Sequence, residues 1–487
     1  MSAEVHASPE SKLPNIVVIL ADDLGYGDVS FLNPDSKIKT PDMDALAQAG
    51  VWATDAHAPS AICSPSRYAM LTGRYPWRKM KSGRLSPWAP LSIDINRVTI
   101  PSMLQTKGYH TACIGKWHLG YNWPWKGGQR PSKEVIGSNT STAKNDMFDW
   151  TQPIEGPTSI GFDYYFGVDC PNFPPFAFIE NTKLTCDPID FEGKSLKSKG
   201  PRGYIHGDGP GEDGWDLEAI LPKITEQAVR YINEKSRESE PYFLYFSLTA
   251  PHTPAAVTKE FSGTSEAGSY GDWVVQTDDA IGQVIEAIKS SGEFENTLII
   301  VSSDNGPEAF TRLLIQTHGH RSSAHLRGLK GDAWEGGHRV PFIASWPKGG
   351  ISGGREIDAT ISLMDLFATT ASIVEFQLEA GVADDSLNML PSLLQDAVVR
   401  DEMIYHSGRA AYGLRQGDWV YLRKGGSKEE PEWYLQAQQI KSAAASDELF
   451  NLADDEAQQY NVSSNHPERV AMMKARILEI EQSASTR

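Results

Sequence analysis

The sequence predicts an α/β fold in which helices sandwich a large mixed, mostly parallel sheet, with a smaller C-terminal α+β subdomain. Two observations lead to this prediction. Short runs rich in β-branched residues, such as NIVVILADD at 15–23 and NTLIIVSSDN at 296–305, alternate along the chain with segments of helical character. Each run is almost continuously apolar, which is typical of strands buried on both faces in a parallel sheet covered by helices.

The helical segments between these runs carry start and stop signals. In TPDMDALAQAG, Thr40 is expected as the N-cap, Pro41 lies in the first turn and Gly50 follows the last turn. IPSMLQTKGY likewise begins with proline, ends with glycine and leads into the strand HTACIGKW. The alternation continues with a helix at 217–235, the strand PYFLYFSLTAPH, a helix at about 272–289 and the strand RVPFIASWP.

Two changes in composition suggest the domain organisation. Residues 14–389 form the main domain, but the stretch 121–215 is rich in Gly, Pro, Asn and aromatic residues and shows little periodicity. So long an irregular stretch in a compact protein is usually functional, and we expect it to border a binding site. Residues 390–487 are expected to form the subdomain, with a small antiparallel sheet and a closing helix that places these residues on one side: Val470, Met473, Ile477 and Ile480.

Composition and charge exclude several classes of function. A formal net charge of −18 repels nucleic acid and anionic membranes, so neither is expected as a partner. The apolar runs are too short to span a bilayer, and the start MSAEVHASPESKLP lacks a signal-peptide core, so a mature or cytosolic chain is expected. Four cysteines do not make a disulfide scaffold, and Cys170 and Cys186 could either pair or remain reduced thiols.

Oxygen-bearing side chains follow two of the predicted strands. Asp22 and Asp23 end the first strand, and Asp304 and Asn305 end a strand much later in the chain. Ligands of open α/β sheets bind beyond the carboxyl ends of the strands, so these four side chains are expected to converge. An all-oxygen set favours a hard cation, Ca²⁺ before Mg²⁺. Either pair alone would more often be a helix cap or a turn former.

Positively charged or protonatable residues stand at three further positions of this kind. GKWHLG contains Lys116 and His118, APHTP contains His252 just beyond a strand, and LRGLKGDAWEGGHRVP contains Lys330 in a glycine-rich turn. A lone Lys or His in a loop is usually solvated, but three such positions at strand ends indicate a common site. Cations around a bound metal require an anion between them, which points to a tetrahedral oxyanion, sulfate or phosphate.

These segments together resemble the type I sulfatases. CSPSRYAMLTGR at 63–74 is similar to the family signature, in which a Cys-x-Pro-x-Arg motif is read by a maturation enzyme that oxidises the cysteine to Cα-formylglycine. ADDLGYGD, GKWHLG, PHTP, SDNG and GLKGDAWEGGHRVPFIASWP resemble the other blocks of the family, in its order, over roughly residues 14–462. The resemblance implies an alkaline phosphatase-like fold, a sulfatase domain at 14–389, and sulfuric ester hydrolysis.

The resemblance also implies a nucleophile and a metal site. Formylglycine at position 63 would be hydrated, and one hydroxyl would attack sulfur to give a covalent sulfate ester. The second hydroxyl would then expel sulfate and restore the aldehyde, an exit that serine lacks. Asp22, Asp23, Asp304 and Asn305 would bind the metal, with Cys63, after conversion, completing the ligand set.

The remaining matched residues would handle charge and protons. Arg67 would hold the nucleophile and the metal-binding carboxylates in place, and Lys116 and Lys330 would bind the sulfate oxygens. His118 would be the base that triggers elimination of sulfate. His252 would protonate the leaving oxygen, with help from Lys330.

The sequence leaves the substrate open. A sulfated carbohydrate, from an algal polysaccharide or a glycosaminoglycan, is the first choice, because aromatic and amide side chains suit a sugar-binding rim. A phosphomonoester or phosphonate ester hydrolase on the same scaffold and a non-catalytic glycan-binding relative are the alternatives. A formylglycine-generating or anaerobic sulfatase-maturating enzyme would be a partner, and the family resemblance implies a periplasmic or secreted location, with a cytoplasmic one remaining open. The candidate substrate-binding residues are Trp123, Trp125, Arg130, Phe176, His318, His320, Arg321 and His325.

Overall fold

The structure, a computed structural model, describes residues 12–80, 83–136, 142–196, 205–408, 411–423, 430–441 and 447–487. The strands are β1 (Asn15–Asp22), β2 (Val51–Ala53), β3 (Ala56–His57), β4 (His110–Lys116), β5 (Tyr164–Val168), β6 (Ile179–Glu180), β7 (Lys183–Leu184), β8 (Ile189–Phe191), β9 (Gly209–Gly211), β10 (Tyr242–Pro251), β11 (Thr297–Ser303), β12 (Phe342–Ser345), β13 (Arg355–Ile357), β14 (Ile361–Ser362), β15 (Glu402–His406), β16 (Tyr412–Gln416), β17 (Trp419–Arg423) and β18 (Asp447–Asn451). The helices are α1 (Pro41–Ala49), α2 (Cys63–Thr72), α3 (Ile100–Gln105), α4 (Lys133–Ile136), α5 (Ile220–Lys235), α6 (Gly268–Ser290), α7 (Arg312–His318), α8 (Glu335–His338), α9 (Leu366–Ile373), α10 (Leu390–Gln395), α11 (Glu432–Ala437) and α12 (Pro467–Gln482).

A large mixed sheet forms the centre of the molecule. Its ten strands lie in the order β13-β2-β12-β11-β1-β10-β4-β5-β6-β7. The five central strands, β11 to β5, are all parallel to one another, and antiparallel pairs occur only toward the two edges. The predicted fold class is confirmed, and the carboxyl ends of the five parallel strands meet along one edge of the sheet.

Both faces of this sheet are buried, which explains why its strands are continuously apolar. Successive residues of a strand point to opposite faces. In β1, Ile16, Val18 and Leu20 belong to a hydrophobic cluster that contains residues of α3 and α9. Val17, Ile19 and Ala21 belong to a second cluster that contains residues of α1, α5 and α6. The chain is therefore a three-layer sandwich of helix, sheet and helix.

The start of α1 shows how tertiary contacts can replace a local signal. Thr40 occupies the predicted N-cap position, but its hydroxyl accepts a hydrogen bond from Ser30 N–H (2.9 Å) and makes no cap. The carboxylate of Asp278, on α6, instead accepts the N–H groups of Asp42 (3.0 Å) and Met43 (2.9 Å). The helix begins where it was predicted to begin, while a distant side chain satisfies its first N–H groups.

The stretch 121–215 is not uniformly irregular. It contributes β5 to the parallel part of the main sheet, where Val168 lies beside Lys116 of β4. Other parts form only short strands and turns. Cys170 and Cys186, whose pairing was left open, are both free thiols. None of the described helices combines the length and the apolar character needed to span a bilayer.

The C-terminal subdomain contains the predicted antiparallel sheet and closing helix. Strands β15 to β18 form a four-stranded antiparallel sheet in chain order. Helix α12 covers this sheet with Met473, Ile477 and Ile480, which are buried, and Val470, which is half-buried. The same hydrophobic cluster contains Ala69 of α2, so the subdomain packs directly against a helix of the main domain.

We expect the Ile477→Ala substitution to lower the free energy of unfolding by about 2–4 kcal/mol, because it removes a fully buried side chain and leaves a cavity. Met472→Ala, which truncates a side chain that is 55% exposed on the same helix, is the control and should change stability little. The midpoint of thermal unfolding measures both. Equal effects of the two substitutions would show that α12 does not close this core.

Candidate active site

The four oxygen-bearing residues at the ends of β1 and β11 lie together, as predicted. Ala21 pairs with Ser303 across the two strands, so Asp22 and Asp23 continue beside Asp304 and Asn305. Asp23 N–H donates to Asp304 Oδ1 (3.1 Å), and Asn305 Nδ2 donates to Asp23 Oδ1 (2.7 Å). All four residues are fully buried. Asp23 has a positive φ of 68°, a left-handed conformation that aspartate tolerates better than most residues.

Cys63 is the first residue of α2, whose N-terminus points to these carboxylates. The residue before it, Ile62, provides no side-chain cap for the first N–H groups of the helix. These N–H groups and the helix dipole favour negative charge at Cys63. Arg67, one turn along the helix, is fully buried. Its Nε donates to Asp304 Oδ2 (2.8 Å), and its Nη2 forms an ion pair with the same oxygen at 2.7 Å. A third nitrogen donates to Ser247 Oγ and to the hydroxyl of Tyr245 (3.3 Å). The signature CSPSR thus places position 63 and a fixed positive charge on one buried helix.

Lys116 and His118 come from the end of β4. Gly115 makes this possible, because its φ is +114° and a Cβ there would lie 1.9 Å from the carbonyl oxygen of Ser247. The Lys116 ammonium is fully buried and donates to both carboxylate oxygens of Asp22, at 2.7 and 2.8 Å. His118 has a φ of 51°, and its Nδ1 is buried without a hydrogen-bond partner among the described residues.

Lys330 and His252 lie on the open side of the group. The Lys330 ammonium donates to Asp23 Oδ2 (2.6 Å) and to Glu308 Oε1 (3.1 Å). His252 Nε2 lies 3.7 Å from each of the same two oxygens. Lys330 and Glu308 retain side-chain exposures of 13% and 22%, whereas the side chains of Asp22 and Asp23 have none. Solvent therefore reaches the group beside Lys330.

These residues fit a divalent cation that prefers oxygen. Asp22, Asp23 and Asp304 supply carboxylates, and the Oδ1 atom of Asn305 is buried without a hydrogen-bond partner in the described part of the chain. Buried polar atoms without partners are rare in folded proteins, and a cation bound to this oxygen would satisfy it. Asp22, Cys63 and Asp304 also offer ligand atoms within 4.8 Å of one another. Such a donor set suits a hard cation better than Zn²⁺.

Burial shifts the pKa values of the group in both directions. Burial raises the pKa of Asp22 to about 6, although the ammonium of Lys116 opposes the rise. Burial also raises the pKa of Asp304, but the charges of Arg67, Lys116 and Lys330 outweigh it and hold that pKa below its usual value. For His118 and His252, burial and the neighbouring lysines lower the pKa values well below the usual range, so both imidazoles are neutral at neutral pH.

Comparison with known proteins now identifies the family, since the sulfatase family model matches residues 14–375. The chain belongs to the sulfatase family. This sulfatase is 32% identical to N-acetylgalactosamine-6-O-sulfatase of Bacteroides thetaiotaomicron, over 94% of this chain and 91% of that protein. It is 30% identical to human N-acetylgalactosamine-6-sulfatase, over 82% of this chain and 70% of the human protein.

Solved structures agree with the assignment. A structure described with the metabolism of multiple glycosaminoglycans by B. thetaiotaomicron superimposes on this sulfatase with a TM-score of 0.82 and 29% identity, covering 97% of this chain and 100% of that chain. The phosphonate monoester hydrolase of Agrobacterium radiobacter gives a TM-score of 0.60 at 16% identity, covering 96% and 95%, which shows a shared fold alone. This sulfatase is therefore a type I sulfatase of the alkaline phosphatase-like fold and a sulfuric ester hydrolase.

The candidate substrate-binding aromatic residues lie in the core of this sulfatase. The Trp123 and Trp125 rings pack against Trp88, and Trp125 stacks on Phe148 with ring centroids 4.3 Å apart. Phe176 is 1% exposed and packs in the opposite face of the sandwich. From the sequence, these aromatic residues were expected to line a sugar-binding rim. The three rings are instead buried by the hydrophobic effect, and none has an open face on which a sugar could stack.

Three of the four polar histidine and arginine candidates near residue 320 have protein partners that are distant in the sequence. His320 is fully buried and bonded to Asp28 (2.8 Å). Arg321 donates to Gln438 and to the carbonyl of Ala437, and His325 bonds Glu456 (2.9 Å), so both join the main domain to the C-terminal subdomain. His318 is exposed at the end of α7, and Arg130 is half-buried.

Two acidic residues of the site, Glu308 and Asp169, were not predicted from the sequence. Glu308 follows Asp304 by four residues and binds Lys330. Asp169 follows β5, so it stands at the same edge of the sheet as Lys116, and its carbonyl accepts the N–H of His118 (3.0 Å). Burial raises the pKa of Asp169 to about 7 against the opposing charge of Lys116. Only the position of GFDYYFGVD beside another strand, which a single sequence does not reveal, could have indicated Asp169.

We expect calcium to raise the thermal midpoint of metal-free protein, and the Asn305→Ala substitution to reduce this gain. A ligand at about a hundredfold its Kd stabilises a folded protein by about 2.7 kcal/mol, and removing the unpartnered oxygen of Asn305 weakens binding. Asn296→Ala, at a surface turn, is the control. Differential scanning fluorimetry across a calcium titration measures the gain. Equal gains in Asn305→Ala and the wild type would contradict calcium binding at Asn305.

Proposed function

We propose that this sulfatase removes sulfate from a sulfated carbohydrate, with 6-sulfated N-acetylgalactosamine units as the first candidate. The observation that carries the proposal is the gathering of two ammonium groups, fully buried Lys116 and half-buried Lys330, and the guanidinium of Arg67 around position 63. These cations suit a tetrahedral anion. The relatives named as N-acetylgalactosamine-6-sulfatases, at 32% and 30% identity over most of this chain, support the sugar.

Cys63 acts after conversion to formylglycine by a maturating enzyme. Burial raises the pKa of its thiol, although Lys116 and Lys330 oppose the rise, so the unmodified side chain remains protonated and is a poor nucleophile. The hydrated aldehyde supplies a hydroxyl that attacks sulfur and a second hydroxyl whose deprotonation releases sulfate. The Cys-x-Pro-x-Arg motif that such an enzyme reads is intact in this sulfatase, which supports conversion.

Asp22, Asp23, Asp304 and Asn305 hold a divalent cation, for which Ca²⁺ fits better than Mg²⁺. Three carboxylates and one amide oxygen match the ligands of Ca²⁺, whereas Mg²⁺ usually retains several waters. The cation supplies positive charge that keeps the nucleophilic oxygen deprotonated. Arg67 keeps the carboxylates in position, because its guanidinium already contacts Asp304 at 2.7 Å and Asp22 at 3.5 Å.

Lys116 and Lys330 bind the non-bridging oxygens of the sulfate group. Both ammonium groups remain charged, since burial would lower their pKa values but Asp22 for Lys116, and Asp23 and Glu308 for Lys330, raise them above the usual value. Lys330 is the more exposed of the two, so it meets the incoming ester first. Two fixed charges stabilise the negative charge that spreads over the oxygens in the transition state.

The two histidines transfer protons. His118 is neutral, and its Nδ1 lacks a hydrogen-bond partner among the described residues, so it has a free position for accepting a proton when sulfate is eliminated. His252 lies on the open side beside Lys330, where the sugar oxygen leaves. Its Nδ1 faces the carbonyl oxygen of Thr253, so Nε2 of the neutral ring first takes up a proton and then donates it to the leaving oxygen. Lys330 assists as the neighbouring acid. A periplasmic or secreted location would give such an enzyme access to polymeric glycans.

We expect converted protein to desulfate N-acetylgalactosamine 6-sulfate or an oligosaccharide that contains it. A panel of defined sulfated sugars, read by mass spectrometry, identifies the sugar and the sulfate position. The mass of the tryptic peptide that ends at Arg67 reports conversion of Cys63, and Cys63→Ala is the inactive control. Faster turnover of nitrophenyl phosphate than of nitrophenyl sulfate by converted protein would favour the phosphoester alternative, and tight glycan binding without desulfation would favour a binding protein.

We expect Lys330→Gln to lower kcat/KM for nitrophenyl sulfate by about 100-fold, because it removes a charge from the sulfate oxygens in the transition state. The substitution lies outside the maturation motif, so conversion of Cys63 should be unchanged. Lys348→Gln, a change of the same kind in a turn after β12, is the control and should retain full activity. A Lys330→Gln enzyme with the activity of the control would remove Lys330 from the sulfate site.

A further inference from the structure

A second group of buried histidine and carboxylate side chains lies between the main domain and the C-terminal sheet. His57 ends β3, and Glu335 and His338 begin and end α8. All three are 0% exposed, and each offers a ligand atom within 4.8 Å of the other two. The ring of Tyr405, from β15 of the C-terminal sheet, lies 3.7 Å from the ring of His338. The proposed hydrolysis of sulfate esters uses none of these residues.

The contacts of His57 define which of its ring nitrogens faces the other two residues. Arg415 Nη1 donates to Asp55 Oδ1 (2.6 Å), and Arg339 Nε lies 3.7 Å from the same oxygen, so the Asp55 carboxylate is held between two guanidinium groups. Asp55 Oδ1 lies 2.9 Å from His57 Nε2, which therefore carries the hydrogen. The other ring nitrogen of His57, Nδ1, faces Nδ1 of His338 at 3.0 Å. A proton or a cation must lie between or beside these two nitrogens.

Glu335 points to a cation rather than to a proton alone. Neither of its carboxylate oxygens has a hydrogen-bond partner among the described residues. Arg339 approaches only to 3.7 Å, because its guanidinium is bonded at 2.7 Å to the carbonyl of Thr54 and to Glu456. A fully buried carboxylate without a close donor is costly unless a positive charge is nearby.

Other unsatisfied polar atoms surround the same place. His338 Nε2, the Tyr405 hydroxyl and Gln458 Nε2 are buried without hydrogen-bond partners in the described ranges. Gln458 is held beside Glu335 by a hydrogen bond from Glu335 N–H to its side-chain oxygen (2.7 Å). Water on a metal ion would satisfy such atoms, since a bound ion with three protein ligands leaves room for one.

We propose that His57, Glu335 and His338 bind a second metal ion, Zn²⁺, separate from the ion of the catalytic group. Two imidazoles and a carboxylate are ligands that Zn²⁺ favours over Ca²⁺. The contact between His57 and Asp55 is the carboxylate–histidine arrangement that orients metal-binding imidazoles. The ion links β3 and α8 of the main domain next to Tyr405 of the C-terminal sheet. Its role is therefore to stabilise the surface against which the C-terminal subdomain packs.

The experiment measures metal content of full-length protein produced in zinc-supplemented medium and purified with calcium present. We expect one equivalent of zinc in the wild type and a loss of at least about tenfold in zinc affinity in Glu335→Gln and His57→Ala. His110→Ala is the matched control, because His110 belongs to an exposed cluster with Glu238 and Glu240 and its loss should leave the zinc in place. Asn305→Ala should likewise keep the zinc while it weakens calcium binding.

Cobalt substitution of the wild type provides a second readout that does not depend on how the variants fold. Co²⁺ bound by two imidazoles and a carboxylate gives visible absorption bands, which zinc should abolish on competition. Wild-type protein without zinc and without these bands would overturn the proposal and leave a hydrogen bond between the two imidazoles. Zinc retained in full by both Glu335→Gln and His57→Ala would also overturn it. Neither result would affect the proposed sulfatase reaction, which the sugar panel tests separately.

Discussion

The ion pair between Arg67 and Asp304, with both side chains at 0% exposure, joins the two parts of the active site. Helix α2 carries position 63, and Asp304 directly follows β11, so this ion pair links two segments that are far apart in the sequence. Breaking one partner of such a buried pair leaves an uncompensated charge, which typically costs about 3–5 kcal/mol. Ser247 and Tyr245 extend the constraint to β10, so the orientation of α2 is fixed from two strands of the parallel sheet. The geometry of position 63 therefore depends on charges to which the proposed reaction also assigns roles.

The parallel arrangement of the central strands explains why residues distant in sequence meet. The carboxyl ends of strands β11, β1, β10, β4 and β5 lie at one edge of the sheet, and each strand either ends in or is followed by a polar residue of the candidate site. Asp23 and His118 adopt left-handed backbone conformations there, which cost of the order of 1–3 kcal/mol each. The surrounding two-sided core stabilises the sheet enough to hold these conformations.

Sequence reasoning predicted the sheet class, the order of the elements and the residues at the carboxyl edge, because continuous apolar strands and their terminal charges are local patterns. It failed where contacts between residues that are distant in the sequence determine the structure. Trp123 and Trp125 were expected to line a sugar-binding rim, because a single sequence does not distinguish a buried ring from an exposed one. In the structure they pack on Trp88 in the core. The cap of α1 comes from Asp278, more than two hundred residues away, and Asp169 belongs to the site only because β5 lies beside β4.

The charges proposed for the active site bear on the choice between a sulfate ester and a phosphate ester. Burial raises the pKa values of Asp22 and Asp23, and a bound cation would favour their ionised forms. With Asp22, Asp23, Asp304 and Glu308 ionised, four negative charges face the three positive charges of Arg67, Lys116 and Lys330, and burial lowers the pKa values of both histidines, which are neutral. With the proposed divalent cation bound and the nucleophilic oxygen deprotonated, the net charge of this group would be zero. A sulfate monoester would then add one negative charge, whereas a phosphate monoester dianion would add two. Because an uncompensated buried charge costs several kcal/mol, the residues proposed to bind the cation would also favour a sulfate ester over a phosphate ester dianion.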